Sequence, residues 1–251
     1  MQKEEQLLQK RLIELSKLAF HRNIVMYSDF LNMNELNILH TLPKNLLFSK
    51  YELFGGYDIA ERQMVAFLPD ALYCDIIYPY QICSIKALNA KYSETLTHRD
   101  YLGAILNLGI DRSKIGDILV TETEAILFVQ EAMAEFICSE LTRIRHTPVL
   151  TAIIDSLEFH YTPKYEEITG TVASVRLDSL LSLAFSASRS KLVGLIEGGK
   201  VFVNGKLITT NSYQMKEDDV VSVRGMGKFQ YKNTVAITKK NRSMIKLHKY
   251  I

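Results

Sequence analysis

The sequence predicts an α+β protein of three domains, because three different residue patterns follow one another along its 251 residues. Leucines recurring at helical spacing make residues 4–20 an amphipathic helix, which opens an α-rich domain at residues 1–72. Residues 73–157 read as strand, helix, strand, strand, helix and strand. Residues 171–251 read as two short helices followed by a small basic sheet.

In the α-rich domain a second helix is predicted at residues 28–42, where Ser28 is placed to cap the N-terminus. The apolar run Met64–Leu68 predicts a strand. Glu61 and Arg62 precede this strand, so they could pair with each other or present Arg62 to a phosphate. The sequence favours the ion pair.

The middle segment carries six elements in a clear order. They are strand Ile82–Leu88, helix His98–Leu108 capped by Thr97, strands Ile115–Thr121 and Ala125–Gln130, helix Glu131–Ile144 and strand Pro148–Ile154. This βαββαβ order predicts a ferredoxin-like domain at residues 73–157. Many RNA-binding domains have this fold, but so do many proteins with other functions, so the fold alone assigns none.

RNA-binding versions of this fold stack bases on aromatic side chains of the sheet. Phe128 is the candidate here, but the first strand, Ile82–Leu88, has no aromatic residue to accompany it. A scaffold or linker role is therefore expected for the middle domain. The charged stretch 158–170 is expected to connect it to the last domain.

The C-terminal domain begins with the helix of Leu177, Leu180, Leu181 and Ala184, and a second helix follows Ser188 as its predicted cap. Asn204-Gly205 between apolar strands is a strong hairpin signal. The strand Val220–Val223 leads into a glycine-spaced basic turn. Further strands are predicted at residues 235–238 and 243–248, on either side of a Lys-Lys-Asn-Arg turn.

The motif order RLD, SRS, EGGKVFVNGK and VVSVRGMGKF resembles the RNA-binding domain named after ribosomal protein S-four. Two earlier segments, FGGYDIAERQMVAFLP at 54–69 and HRDYLGAILNLGIDRSKIGDILV at 98–120, extend the likeness. Together these segments resemble the YlmH family of bacterial, ribosome-associated proteins. The resemblance implies ribosomal RNA and tRNA as partners, on a large ribosomal subunit that carries a stalled peptidyl-tRNA. It also implies a role in ribosome-associated quality control and a gene neighbourhood shared with cell-division genes.

Candidate RNA-binding residues lie at helix starts, strand ends and turns, where basic side chains project and glycine lets the backbone approach RNA. The set is Arg176, Ser188, Arg189, Ser190, Lys191, Lys200, Asn204, Lys206, Arg224, Gly225, Gly227, Lys228, Lys239, Lys240 and Arg242. Asp178 departs from the basic pattern, and it is expected to cap the helix or to pair with Arg176.

Charge is divided unevenly along the chain. Residues 171–251 carry 14 Lys and Arg against 5 Asp and Glu, a net charge of +9. Residues 1–170 carry 16 basic and 23 acidic residues, a net charge of −7. Such an asymmetry predicts a polyanion-binding module joined to a part with another role.

Three dispersed cysteines, Cys74, Cys83 and Cys138, argue against a disulfide scaffold or a zinc site and fit a reducing cytosol. Cys138 is expected to be packed on its helix. No apolar run reaches the roughly 20 residues of a membrane span, and the charged N-terminus lacks a signal core. A cytoplasmic protein is expected.

No catalytic constellation stands out, so neither an enzyme activity nor a cofactor is expected. The RLD at 176–178 lacks the Thr-x-Gly that follows it in a pseudouridine synthase motif. His98 with Asp100 at a helix start indicates capping. Two alternatives stay open: an RNA-modifying enzyme of the pseudouridine synthase or methyltransferase type with an unrecognised middle-domain site, and a division-linked adaptor whose protein partner binds residues 1–70.

Overall fold

The computed structural model describes residues 3–70, 75–89, 93–155, 159 and 161–251. The chain forms two compact units, Met1–Tyr161 and Thr162–Ile251. Each unit combines helices with antiparallel sheet, so the predicted α+β class is confirmed.

The first unit opens with helix α1, Lys3–Arg22, as predicted, and buries Leu12, Leu15 and Ala19 on one face. It packs with helix α2, Met33–Thr41, on a three-stranded sheet. The strands are β1 (Met26–Tyr27), β2 (Lys50–Phe54) and β3 (Met64–Leu68), in the order β1-β3-β2. The predicted strand at 64–68 is confirmed as the centre of this sheet.

The predicted start of the second helix is wrong. Asn32 is the N-cap, because its side-chain oxygen accepts the backbone N–H groups of Asn34 and Glu35, at 2.9 and 3.2 Å. Glu35 completes a capping box by accepting the Asn32 N–H. Ser28 instead accepts the backbone N–H of Val65, and so joins the segment that follows β1 to β3.

The middle elements form a five-stranded antiparallel sheet in the order β5-β6-β4-β8-β7. The strands are β4 (Tyr80–Ala87), β5 (Ile115–Val120), β6 (Glu124–Gln130), β7 (Arg143–Ile144) and β8 (Thr147–Ile154). Helices α3 (His98–Asn107) and α4 (Glu131–Glu140) pack on one face. Without β7, the order β5-β6-β4-β8 is that of the predicted ferredoxin-like βαββαβ unit. The second helix ends before the predicted Ile144, because Arg143–Ile144 pairs with Thr147–Pro148.

The second unit is a six-stranded antiparallel sheet with two helices. Its elements are β9 (Tyr165–Val172), α5 (Leu177–Phe185), α6 (Arg189–Glu197), β10 (Val201–Val203), β11 (Lys206–Leu207), β12 (Val220–Val223), β13 (Gly227–Ile237) and β14 (Ser243–Tyr250). The order is β11-β10-β12-β13-β14-β9. The expectation that residues 158–170 only connect domains is wrong for Tyr165–Gly170, because β9 pairs with β14 along its whole length.

The core of the second unit lies between its helices and one face of the sheet. Leu177, Leu180 and Leu181 of α5 and Leu192 and Ile196 of α6 are fully buried. They pack with strand residues Val201, Val221, Phe229, Ile245 and Leu247. In the described parts of the chain, no helix has the length and hydropathy needed to cross a membrane.

Candidate nucleic-acid interface

The junction between α5 and α6 gathers one group of the predicted residues. Helix α5 is followed by Ser186, the C-cap, whose left-handed backbone (φ 47°) turns the chain sharply. Ser188 occupies the predicted N-cap position of α6, but its hydroxyl makes no capping hydrogen bond and lies 3.3 Å from the hydroxyl of Ser190. Ser188, Ser190 and Lys191 are exposed. Arg189 begins the helix, and its side chain lies outside the described part of the structure.

The glycine-spaced turn between β12 and β13 lies against the end of α5. Gly225 and Gly227 both have positive φ, 76° and 109°, which a glycine adopts without strain. The ring of Phe185, the last residue of α5, lies 5.8 Å from that of Phe229 and would meet a Cβ on Gly227 at 4.0 Å. The turn and the α5–α6 junction therefore belong to the same end of the unit. Lys228, the second residue of β13, lies next to this turn.

Lys200 and Arg224 reach this same end through paired strand termini. The Arg224 N–H donates to the Lys200 carbonyl at 3.0 Å, and both side chains are exposed. The Arg224 guanidinium lies over the buried ring of Phe202, 5.6 Å from its centroid, which holds the side chain against the sheet. The backbone pairing thus brings Lys200 next to Arg224, whose guanidinium is held over Phe202 beside the glycine turn.

Asn204 holds a turn rather than presenting a free amide. Asn204 and Gly205 both have positive φ, 47° and 76°, as the predicted two-residue hairpin requires. The Asn204 amide donates to Asp219 at 2.7 Å, and its oxygen accepts the Val220 N–H at 2.9 Å. These bonds fix the loop from which the exposed Lys206 projects.

Arg176 is an anchored guanidinium at the start of α5. Its Nε and Nη2 donate to Asp178 at 3.1 and 3.0 Å, and the carboxylate is nearly buried. The alternative in which Asp178 pairs with Arg176 is confirmed.

Lys239, Lys240 and Arg242 form a separate group at the β13–β14 turn. Lys239 and Lys240 are exposed, and Arg242 donates from Nη2 to the Thr171 carbonyl at 3.0 Å. Strand β13 has 11 residues and separates this turn from the glycine turn, so the two turns lie at opposite ends of the strand. The predicted residues therefore fall into more than one cluster on a single unit.

The middle sheet does not present Phe128 for stacking. Phe128 is fully buried, and its ring packs on Tyr57, Phe159 and Tyr80 at centroid distances of 5.4, 5.3 and 6.1 Å. Gly56 (φ 100°) lies so close that a Cβ there would come within 2.3 Å of the ring. Base stacking on this side chain is excluded, as the sequence analysis favours.

Arg62 is not presented to a phosphate. It is buried, and it donates to the backbone carbonyls of Ile115, Phe30 and Arg112 at 2.7, 2.9 and 3.0 Å. Burial lowers the pKa of Arg62, while Glu35 and Asp117 act in the opposite direction.

Asp117 of β5 fixes the other end of the same motif. Its carboxylate accepts the backbone N–H groups of Glu61 and Arg62 and the hydroxyl of Tyr57, at 2.7, 3.2 and 2.8 Å. Through these bonds, Tyr57, Glu61 and Arg62 join the motif at 54–69 to β5 of the middle sheet.

The remaining polar candidates of the first unit are also structural. Asp100 accepts the backbone N–H and the hydroxyl of Thr97, at 2.9 and 2.7 Å, which caps α3 as predicted. Cys138 is packed as predicted, with its sulfur 4.0 Å from that of Cys83. Burial raises the pKa of the Cys83 thiol to about 12, so this thiol stays protonated at neutral pH. Cys74 lies outside the described residues, among which no His, Cys, Asp and Glu side chains cluster as a metal site.

Comparisons with known proteins agree with this architecture. Residues 78–174 match the family described as "Putative RNA-binding domain in YlmH", and residues 175–221 match the S4 domain. The chain is 30% identical over 249 residues to "Ribosome-associated protein quality control protein P2" of Bacillus subtilis, covering 96% of this chain and 93% of that protein. Its fold is similar to that of "Cell division protein ylmH from Streptococcus pneumoniae", with a TM-score of 0.50 and 24% identity over 63% of this chain and 95% of that one.

The C-terminal unit with its basic turns and the matched domains define an RNA-binding protein. The chain belongs to the YlmH family. The family described as an RNA-binding domain matches the middle segment as well. This description differs from the scaffold or linker role expected from the sequence.

Proposed function

We propose that this protein binds ribosomal RNA and tRNA on the large ribosomal subunit, without catalysing a reaction, in the quality control of stalled peptidyl-tRNA complexes. The observation that carries the proposal is the cluster at one end of the second unit. There, the α5–α6 junction, the glycine turn and the adjacent Lys200 and Arg224 present exposed cations beside an accessible backbone. The relative of known role is a ribosome-associated quality-control protein by its name.

The chemistry of this cluster suits phosphate. Arginine offers a planar fork of donors, lysine a point charge, and glycine turns allow backbone N–H groups to come close. The cytoplasm, where ribosomes work, is the proposed location. Residues 1–70 remain the proposed surface for a protein partner.

Ribosome co-sedimentation tests the proposal. The double variant Lys200→Glu, Arg224→Glu should lose most of its association with large subunits, and wild-type binding should weaken steeply as salt rises. The control is Lys3→Glu, Lys10→Glu on α1, which changes the net charge by the same amount in the other unit. Equal loss in both double variants would mean that overall charge, and not this cluster, governs binding.

The non-enzymatic part of the proposal has a separate test. Ribosomal RNA and tRNA incubated with the protein, with and without S-adenosylmethionine, should keep their nucleoside composition in mass spectrometry. A new methyl group or pseudouridine would overturn it.

A further inference from the structure

A cavity of about 490 Å³ opens in the second unit beside the second basic group. Three elements form it: the end of β9, the outer side of α5 and the β13–β14 turn. Its polar lining comes from Thr171, Ser179, Ser182 and Arg242, and its apolar lining includes Val172 and Leu183. Two of these elements lie outside the matched S4 domain, which spans residues 175–221.

The guanidinium at the cavity is held in place. Arg242 donates from Nη2 to the Thr171 carbonyl at 3.0 Å, and its backbone N–H donates to the Thr238 hydroxyl at 3.1 Å. A guanidinium has five N–H donors, so an edge anchored in this way keeps donors for an anion. The described residues that line the cavity include no carboxylate to compete for it.

The other walls suit the rest of a nucleotide. Leu183 is held against the backbone of β9, where a Cβ on Gly170 would come within 2.5 Å of it. Beside the buried Val172 it offers an apolar wall. The Ser182 hydroxyl donates to the Ala187 carbonyl at 3.5 Å and can accept from a sugar or a base edge, while the Ser179 hydroxyl can donate or accept. Small-ligand sites occupy roughly 300–1,000 Å³. A cavity of this size can hold one nucleotide but not an RNA helix.

We propose that this cavity binds a single unpaired nucleotide of the RNA. Arg242 contacts its phosphate, Ser179 and Ser182 contact its polar edges, and the partly exposed Leu183 contacts the face of its base. The inference rests on the proposed function and adds what that function leaves open, namely that the bound RNA carries an extrahelical nucleotide. Single-stranded positions are where RNA bases are accessible to side chains.

The test compares two RNA hairpins that differ only in one bulged nucleotide, with affinities for the full chain measured by fluorescence anisotropy at fixed salt. The wild type should bind the bulged hairpin about tenfold more tightly, the value of one good charged hydrogen bond. Ser179→Leu fills the cavity without changing charge, so it should remove this preference and leave binding to the paired hairpin unchanged. Ser139→Leu, the same change at an exposed position of α4, should keep the preference.

Arg242→Gln provides a second variant. It tests the proposal if a melting curve shows that Ser179→Leu is unfolded. It too should bind both hairpins equally. Equal binding of both hairpins by the wild type, or a preference that survives in the folded variants, would overturn the cavity's role alone. A uniform loss for both hairpins in Arg242→Gln, with the preference intact, would show an ordinary backbone contact and also overturn it. Failure of the wild type to bind either hairpin would instead overturn the proposed function.

Discussion

Arg176 and Asp178 form a two-point ion pair at the start of α5, with Nε–Oδ1 and Nη2–Oδ2 distances of 3.1 and 3.0 Å. The carboxylate side is nearly buried, whereas the arginine side chain is 36% exposed. The acidic residue therefore holds a partly exposed guanidinium in one orientation. In a basic domain, this acidic residue serves to position a cation.

Asp178→Asn should weaken RNA binding by roughly two- to tenfold, although it removes a negative charge, because the guanidinium of Arg176 loses one oriented partner. The measurement is the dissociation constant for a structured RNA by fluorescence anisotropy. Glu217→Gln removes one negative charge from an exposed position of the same unit and should leave affinity equal or slightly higher. Tighter binding by Asp178→Asn would show that the carboxylate only repels RNA.

Lys191 and Leu192 are neighbours on α6 with opposite environments, since Lys191 is exposed and Leu192 is fully buried. Lys191→Ala should reduce ribosome association and leave the melting temperature almost unchanged, because surface substitutions shift stability by only about 0.5 kcal/mol. Leu192→Ala should cost about 2–5 kcal/mol through the cavity it leaves. Co-sedimentation and a melting curve on each variant check both. If Lys191→Ala melted at a clearly lower temperature than the wild type, its reduced ribosome association would reflect unfolding and not the loss of a direct contact.

Elements with strong local patterns could be predicted from the sequence. The leucine spacing of α1, the βαββαβ order and the Asn204-Gly205 turn each carry their own signal, and all three are present. Strand β9 lacks such a signal. It contains Glu166, Glu167 and Gly170 and buries few side chains, so its stability comes from pairing with β14, over 70 residues further along the chain.

In the candidate site too, some features could be predicted from the sequence and others could not. Exposed cations at turns follow from sequence, because turn chemistry and charge are local properties. Which cations share a surface depends on strand length and pairing, and β13 places two of the basic turns at its opposite ends. Arg62 is a further case: its carbonyl partners at Phe30 and at Arg112 and Ile115 come from two distant segments, which no local pattern could connect.

Gly170 lies where β9 meets α5, and its substitution should test that packing. In Gly170→Ala the new Cβ would lie 2.5 Å from Leu183 Cδ1, so the leucine side chain must shift, at a cost of about 1 kcal/mol. Gly194→Ala in α6 meets no atom within 4 Å and should be neutral or stabilising, since alanine favours a helix by about 1 kcal/mol. Thermal melts of both variants check the contrast. Equal effects would mean that β9 does not pack on α5 as described.

His248 should make the second unit less stable in mild acid. Its ring stacks on Tyr165, with centroids 3.9 Å apart, and its Nε2 lies 3.8 Å from Glu167. Burial is the main cause that lowers the pKa of His248, Lys232 and Lys246 add to it, and Glu167 opposes it. The folded state thus favours the neutral ring more than the unfolded state does. The neutral His248 ring therefore contributes to the free energy of unfolding. That contribution is fully present above the unfolded pKa, about 6.5, and is lost as pH falls through the lower folded pKa.

The check is a series of thermal melts at pH 7, 6 and 5 on the wild type and on His248→Phe, which keeps an aromatic ring against Tyr165 but cannot be protonated. Both proteins will respond to other groups in acid, so the informative quantity is the difference between their melting temperatures at each pH. That difference should move in favour of His248→Phe as pH falls from 7 to 5, because only the wild type must then hold an imidazolium near Lys232 and Lys246. The carboxyl group of Asp100, whose pKa hydrogen bonds from Thr97 hold below its usual value, titrates under more acidic conditions and cannot imitate this change. A difference that stays constant would mean that folding leaves the pKa of His248 unchanged. A difference that moves toward the wild type would mean that Glu167 outweighs burial and the two lysines, so that the folded unit favours the charged ring.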